Sequence, residues 1–353
     1  MKKVDIVING RGLDLPMNGI PRYMSETLSY LDTHLKETSL TVEVVIPRGT
    51  VVKKEYQNIK IITLKKSILW DYLIAESYAR KNNALYINLA SKGTLYRYSI
   101  CTIHDIRILR EKAHVTYKDI KNLFKIKISY RLAIMNAKTI VTVSQFSKKE
   151  LVEYFSISPS KVQVIGNGWE HLKDIQEDNT IFQEYPEIEK GAYFFSLGSI
   201  APHKNFKWII ENKKRYPRVQ YVVMGKVDTR IWKDTTSELD NIIYVGYQSD
   251  GRMISLMKNA RALVFPSVYE GFGIPPLEAL ACGIPAMVAD IPVMREIFGK
   301  TVYYFDEYDY TIDLQKKMNE DIIEDSTEVL AEYSWQKSAK KWLDLIESEI
   351  QMK

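Results

Sequence analysis

The stretch with the most chemistry runs Phe265-Pro266-Ser267-Val268-Tyr269-Glu270-Gly271-Phe272-Gly273-Ile274-Pro275-Pro276-Leu277-Glu278 and on to Gly283. It reads as a strand end, a loop with two glycines, and a helix that Pro275 and Pro276 start and Gly283 stops. Glu270 falls on the loop and Glu278 in the first turns of the helix. Both carboxylates therefore reach the space beyond the carboxyl end of a strand, where parallel α/β sheets bind their ligands. The glycines let backbone N–H groups come close to a hydroxylated or phosphorylated ligand. A second stretch, Leu197-Gly198-Ser199-Ile200-Ala201-Pro202-His203-Lys204-Asn205, also follows a strand. A fixed ammonium at Lys204 would stabilise negative charge building on a departing phosphate.

Three further segments add candidates, two of them directly after strands and one near the N-terminus. His104-Asp105 follows a strand; the imidazole suits a polar contact in a dry cleft, and Asp105 suits orienting or capping. Asn18-Gly19-Ile20-Pro21-Arg22-Tyr23 is expected to form a loop in which Gly19 or Ile20 offers a backbone donor, since Pro21 has none. Val245-Gly246-Tyr247-Gln248-Ser249-Asp250 is a strand-to-helix loop. Taken singly, each has a plainer reading as a solvated loop residue or a structural histidine.

The elements that must position these residues repeat one rhythm. Strand candidates 4–8, 42–46, 60–64, 84–87, 99–103, 139–143 and 162–165 alternate with helical patterns in the first half. Candidates 193–197, 221–224, 242–245, 262–265, 286–289 and 302–305 do so in the second. Strands apolar on both faces and separated by helices imply parallel sheets covered on both sides, hence two Rossmann-like domains. The break falls after Asn167-Gly168, giving domains 1–170 and 171–333 and a terminal amphipathic helix, 334–353, capped by Ser334. A Ser147–Glu150 capping box is expected to open the helix after residue 143.

Composition narrows the function classes. Residues 1–170 hold 27 Lys+Arg against 15 Asp+Glu, a net of +12, and the remainder 22 against 29, a net of −7. One half is thus suited to an anionic neighbour. No nucleic-acid motif accompanies the charge, so nucleic acid is not the expected partner. Between Tyr117 and Asn136 a helical projection puts Lys118, Lys121, Asn122, Lys125, Ser129 and Asn136 on one polar stripe, with Lys127 and Arg131 on the apolar side. That stripe is either a solvated face or a surface for an anionic membrane. No apolar run approaches the length of a membrane span, the N-terminus reads as a first strand rather than a signal peptide, and Cys101 and Cys282 sit in apolar stretches. A cytoplasmic protein is expected. There is no Asp-x-Asp triplet, no Gly-x-Gly-x-x-Gly after the first strand, no Walker loop and no His/Cys cluster, so neither a metal nor a cofactor is expected.

The Glu270-to-Glu278 spacing resembles the Glu-x7-Glu motif of retaining glycosyltransferases of the GT-B fold, family 4 (glycosyl transferases group 1). The other segments match that family in order and spacing over nearly the whole chain. The resemblance implies two Rossmann-like domains with parallel sheets facing across a cleft, and a last helix crossing back to the N-terminal, acceptor-side domain. It implies that Glu270 holds donor-sugar hydroxyls with the backbone of Gly271, Phe272, Gly273 and Ile274, while Glu278 holds the ribose. Lys204 would neutralise the diphosphate, His104 touch the sugar, Gly19 lie near the phosphates and Tyr247 flank the base. Many relatives carry an arginine where this chain has Ser199, which leaves the diphosphate to Lys204 with His203 or backbone donors. The implied partners are a nucleotide-diphosphate sugar and a saccharide or lipid-linked saccharide acceptor, with a lean to mannosyl or rhamnosyl transfer in bacterial surface-polysaccharide synthesis. The rival readings are a nucleotide-sugar 2-epimerase on the same fold and a non-catalytic, glycan- or partner-binding subunit.

Overall fold

A computed structural model describes residues 3–17, 19–110, 117–198, 201–225 and 242–352, with the backbone alone at 117–122. The chain divides into two units, Met1–Asn167 with Ser334–Lys353, and Gly168–Tyr333. In the first unit, β1 (Ile6–Asn9), β2 (Val42–Pro47), β3 (Ile59–Leu64), β4 (Leu85–Asn88), β5 (Ser99–Thr102), β6 (Thr139–Thr142) and β7 (Val162–Val164) form one sheet in the order β3-β2-β1-β4-β5-β6-β7. In the second, β8 (Tyr193–Leu197), β9 (Gln220–Met224), β10 (Ile242–Gly246), β11 (Ala262–Phe265), β12 (Ala286–Ala289) and β13 (Tyr303–Phe305) take the order β10-β9-β8-β11-β12-β13.

All the strand pairings in both sheets are parallel. β1, β2, β4, β5, β6, β11 and β12 are buried at every residue, as a sheet covered by helices on both faces requires. Each order reverses direction once, between β1 and β4 in the first sheet and between β8 and β11 in the second. At such a reversal the flanking loops diverge to opposite faces and leave a crevice at the carboxyl ends of the strands, so these are the two places where ligands are expected.

The helices depart from the sequence expectation at three points. Gly19–Leu35 is one helix, so Gly19 to Tyr23 open it rather than form a loop, and Arg22 and Tyr23 are buried. The helix after β6 runs Gln145–Phe155 with Ser144 as its cap, accepting from Ser147 N; Ser147 is therefore inside the helix and buried. The cap moved because β6 ends at Thr142, leaving Ser144 as the first extended residue able to turn its hydroxyl onto the new helix.

The Tyr117–Asn136 helix also turns differently. Gly93 N donates to Ser129 Oγ at 2.8 Å, and Asn136 Nδ2 donates to Thr94 O at 3.0 Å. These members of the expected polar stripe face the loop after β4. The exposed side instead carries Phe124, Ile128 and Met135 together with Lys125 and Arg131. The side chains of Lys118, Lys121 and Asn122 lie outside the described residues.

Ser334 caps the Trp335–Gln351 helix, accepting from Lys337 N. Trp335, Ala339, Trp342 and Ile346 are fully buried, an apolar stripe at helical spacing. Trp342 Nε1 donates to Tyr23 OH at 3.0 Å, and Ser338 Oγ donates to Gly166 O at 2.7 Å. Lys138 and Thr139 meet Glu349 at 2.6 and 2.5 Å. These bonds tie the last helix to the first unit.

Candidate active site

The second unit brings two of the expected residues into direct contact at its sheet reversal. β8 ends at Leu197 and the turn Pro202–Lys204 follows; β11 ends at Phe265 and the loop to Gly273 follows. Val268 N donates to His203 O at 2.8 Å, lashing one loop to the other. Lys204 Nζ then reaches Glu270 Oε1 at 2.6 Å, with both side chains mostly buried, and lies 5.0 Å from the centre of the Phe265 ring. The ammonium and carboxylate expected on different parts of one ligand are thus paired with each other.

Two glycines allow this arrangement sterically. Gly225, at φ +150°, passes so near the Gly198 carbonyl that a Cβ would sit 1.8 Å from its oxygen. Gly273 caps the Ile274–Ala281 helix at φ +110°, and a Cβ there would meet Met294 Cε at 2.9 Å. Gly271 and Phe272 are buried, and the Phe272 ring packs edge-on to Tyr333 at 5.3 Å. The Phe272 side chain thus belongs to the core, and only its backbone is a candidate for ligand contact. Ile274 opens the helix.

Glu278 is buried rather than open. Its Oε1 is 2.9 Å from His171 Nε2, with the two side chains 4 and 2 % exposed, among the least accessible polar groups of the unit. A carboxylate out of water needs a partner, and His171, on the short Glu170–Leu172 turn, supplies it. His171 belongs to no motif in the sequence. Its one visible signal is that it follows the domain break directly. Tyr247 is exposed just beyond β10, where Gly246 turns at φ +69°. Ser199 lies outside the described residues.

The first unit carries the other two candidates. His104 follows β5, edge-on to the Tyr23 ring at 4.7 Å. Its Nε2 is 3.0 Å from Leu89 O. A carbonyl only accepts, so Nε2 carries the proton and Nδ1 is left as an acceptor. Burial pulls the imidazole pKa down to about 4, the Leu89 bond opposing it, so the ring is neutral at pH 7. Gly19 is exposed, and a Cβ there would meet nothing within 4 Å. No steric reason therefore demands glycine at 19. Among the described residues no three His, Cys, Asp or Glu side chains are grouped to hold a metal ion, and no helix is long and apolar enough to cross a membrane.

Two doubly wound parallel sheets in separate units make this a GT-B protein. Sucrose-phosphate synthase from Thermosynechococcus elongatus shares the fold, with a TM-score of 0.75 over 99 % of this chain and 100 % of its own, at 13 % identity. So does HepE of Anabaena in complex with UDP, with a TM-score of 0.66 over 98 % of this chain and 100 % of its own, at 12 % identity.

Residues 177–349, just under half of the chain, match the model of the family "Glycosyl transferases group 1". The O-antigen chain mannosyltransferase RfbU of Salmonella typhimurium is 30 % identical over 220 residues, 58 % of this chain. The matched part spans 60 % of that relative's own length.

Proposed function

We propose that this protein transfers a hexosyl residue from a nucleotide-diphosphate sugar to a saccharide or lipid-linked saccharide, with retention of configuration and without a metal ion. The observation that carries the reading is the Lys204–Glu270 pair at the sheet reversal of the second unit. An arriving donor exchanges this internal pair for two better matched ones. Lys204 turns to the diphosphate and stabilises the charge that grows there as the sugar–phosphate bond breaks. Glu270, released, accepts hydrogen bonds from sugar hydroxyls. With Oε1 held by His171, Glu278 offers its second oxygen to the ribose, and the exposed Tyr247 ring is suited to flank the base. Any bond between His104 and a sugar hydroxyl is an accepting one, through Nδ1. In this reading no carboxylate is assigned as a covalent nucleophile, which favours a front-face displacement guided by the leaving phosphate.

The name of the Salmonella relative favours mannosyl transfer, alongside the rhamnosyl alternative. A thermal-shift screen with GDP, UDP, dTDP and their sugars, run in EDTA, tests the reading. A ligand at 100 times its Kd stabilises the fold by about 2.7 kcal/mol. The expected result is a shift with one nucleotide that Lys204→Ala abolishes, followed by transfer that survives the chelator. A screen in which no nucleoside diphosphate moves the melting temperature would sink the proposal. Interconversion of the free nucleotide sugar without acceptor would favour an epimerase instead.

The outward face of the Tyr117–Asn136 helix supports peripheral binding to an anionic membrane at the inner side of the cell. Phe124, Ile128 and Met135 are exposed beside Lys125 and Arg131, apolar groups to insert and cations to meet headgroups. Sedimentation with liposomes should rise with anionic lipid and fall in Phe124→Ser/Met135→Ser. Equal sedimentation of variant and wild type would remove the membrane from the reading.

A further inference from the structure

The sheet reversal of the first unit, between β1 and β4, opens into a pocket of about 560 Å³, inside the roughly 300–1,000 Å³ range of small-molecule sites. Its charged lining is Arg11, Arg48, Lys66 and Lys92 against Asp14 and Asp71. Arg11 follows β1, Arg48 follows β2, Lys66 follows β3 and Lys92 follows β4. Four neighbouring strands therefore each deliver one cation to the same crevice.

One of these cations is held in place from below. Residues Trp70–Ala75 form a π-helical turn, a rare geometry that recurs at functional sites. It sets Asp71 against the end of β1. Asp71 Oδ2 accepts from Arg11 Nη1 at 2.9 Å, and Asp71 Oδ1 accepts from Asn9 Nδ2 at 2.8 Å. Asn9 in turn accepts from Trp70 Nε1 at 2.9 Å and from the Arg11 backbone N–H at 3.1 Å. Asn9, Trp70 and Asp71 are buried, so the guanidinium is anchored to a rigid floor. The side chains of Arg48, Lys66 and Lys92 are exposed and have no partner among the described residues. With Asp71 spent on Arg11, the remaining groups are three cations facing only Asp14.

Apolar groups stand at the same opening. Leu15 and Ile20 line the pocket while 52 and 37 % exposed. Ile68 and Leu69, next along from Lys66, and Val51, three residues after Arg48, are exposed as well, though outside the pocket lining. A neutral glycan requires neither feature.

We propose that this pocket binds a phosphate or diphosphate ester carried by the acceptor, so that the acceptor is a phosphorylated saccharide rather than a neutral one. The word acceptor rests on the glycosyltransferase reading; the binding itself does not. A soluble sugar phosphate and a lipid-linked sugar diphosphate share this chemistry.

Titration calorimetry with inorganic pyrophosphate, geranyl diphosphate and neutral methyl α-mannoside tests it on wild type, Lys204→Ala and Arg48→Glu/Lys66→Glu. Lys204→Ala removes the cation of the other unit, so binding retained there reports the pocket. One diphosphate should bind Lys204→Ala, weaken as salt is added, and bind at least ten-fold more weakly to Arg48→Glu/Lys66→Glu, with no heat from the mannoside. Tighter binding of geranyl diphosphate than pyrophosphate identifies the lipid-linked source, and equal binding the soluble one. Diphosphate binding that survives charge reversal undiminished, or that disappears in Lys204→Ala, overturns the proposal. The nucleotide thermal shift of the charge-reversed protein is a separate readout. If it persists while the pocket fails, the glycosyltransferase reading stands and only the phosphorylated acceptor falls.

Discussion

The two sheet reversals solve one electrostatic problem in opposite ways. In the second unit the cation and the anion that would meet a ligand are locked on each other, Lys204 on Glu270 at 2.6 Å. In the first, the carboxylate of Asp71 is built into a buried floor and holds Arg11 facing the pocket, while Arg48, Lys66 and Lys92 stay unpaired. An internal pair keeps charge neutralised in a mostly buried place, where a lone charge is costly, and under the proposed function it would open for a ligand with both an anionic and a hydroxylated part. Unpaired exposed cations need no such protection and attract any anion of the right size. Selectivity is thus expected of the second unit and electrostatic capture of the first.

The sharpest test of this comparison is to break the internal pair from each side. Lys204→Ala should lower kcat by roughly 10²–10³, and Glu270→Gln by roughly 10², the scale of lost charge stabilisation in a transition state. The double variant should lose less than the product of the two, since in the proposed reaction each group serves the same bond-breaking event. Steady-state kinetics with saturating donor would read this. Fully multiplicative losses would show that the two residues act on independent steps, and near-normal turnover in Glu270→Gln would remove the donor sugar from this loop.

Much of the second unit is legible in the sequence. Its strands are strongly β-branched or aromatic, and β8, β11 and β12 begin and end at the residues expected. The Glu270 and Glu278 positions follow from local signals: two glycines, two prolines, a strand before and a helix after. What those signals do not contain is the partner of each carboxylate. His171 and Glu278 are 107 residues apart, and Lys204 and Glu270 are 66 apart. The first unit was less legible for the same reason. Arg11, Asp71 and the cations after β2, β3 and β4 are scattered singly along the sequence, and only the strand order collects them. The expected polar stripe on the Tyr117–Asn136 helix misled because Ser129 and Asn136 bond to a loop that the projection could not show.

A smaller effect sharpens the roles within the second unit. His171 touches Glu278 and is not assigned to touch the ligand, so it acts by positioning. His171→Ala should cost about 1–3 kcal/mol of stability, because it strands a buried acceptor. It should also raise the KM for the nucleotide sugar while leaving kcat near wild type, the signature of binding lost equally in ground and transition states. His171→Gln, which keeps a donor, should restore much of both. A fall in kcat at unchanged KM would mean that Glu278 acts on the sugar rather than on the nucleotide.

The smallest expected effect belongs to His104 and bears on the first unit. In the folded protein burial holds its pKa near 4, whereas in the unfolded chain an exposed imidazole titrates near 6.5. Between those values the unfolded state takes up a proton that the folded state refuses, so lowering the pH favours unfolding. Above about pH 6.5 both states are neutral and His104 adds no pH dependence. On moving from pH 7 to 5.5 the wild type should therefore lose about 1 kcal/mol relative to His104→Gln, which keeps a side-chain N–H for Leu89 O but does not titrate. The comparison is made on the difference between the two proteins, because the other carboxylates and histidines titrate in both and cancel. Urea unfolding at the two pH values reads it directly. Parallel stability curves would mean that the imidazole is hydrated enough to keep its ordinary pKa. Its Nδ1 would then be open to water instead of reserved for a hydroxyl.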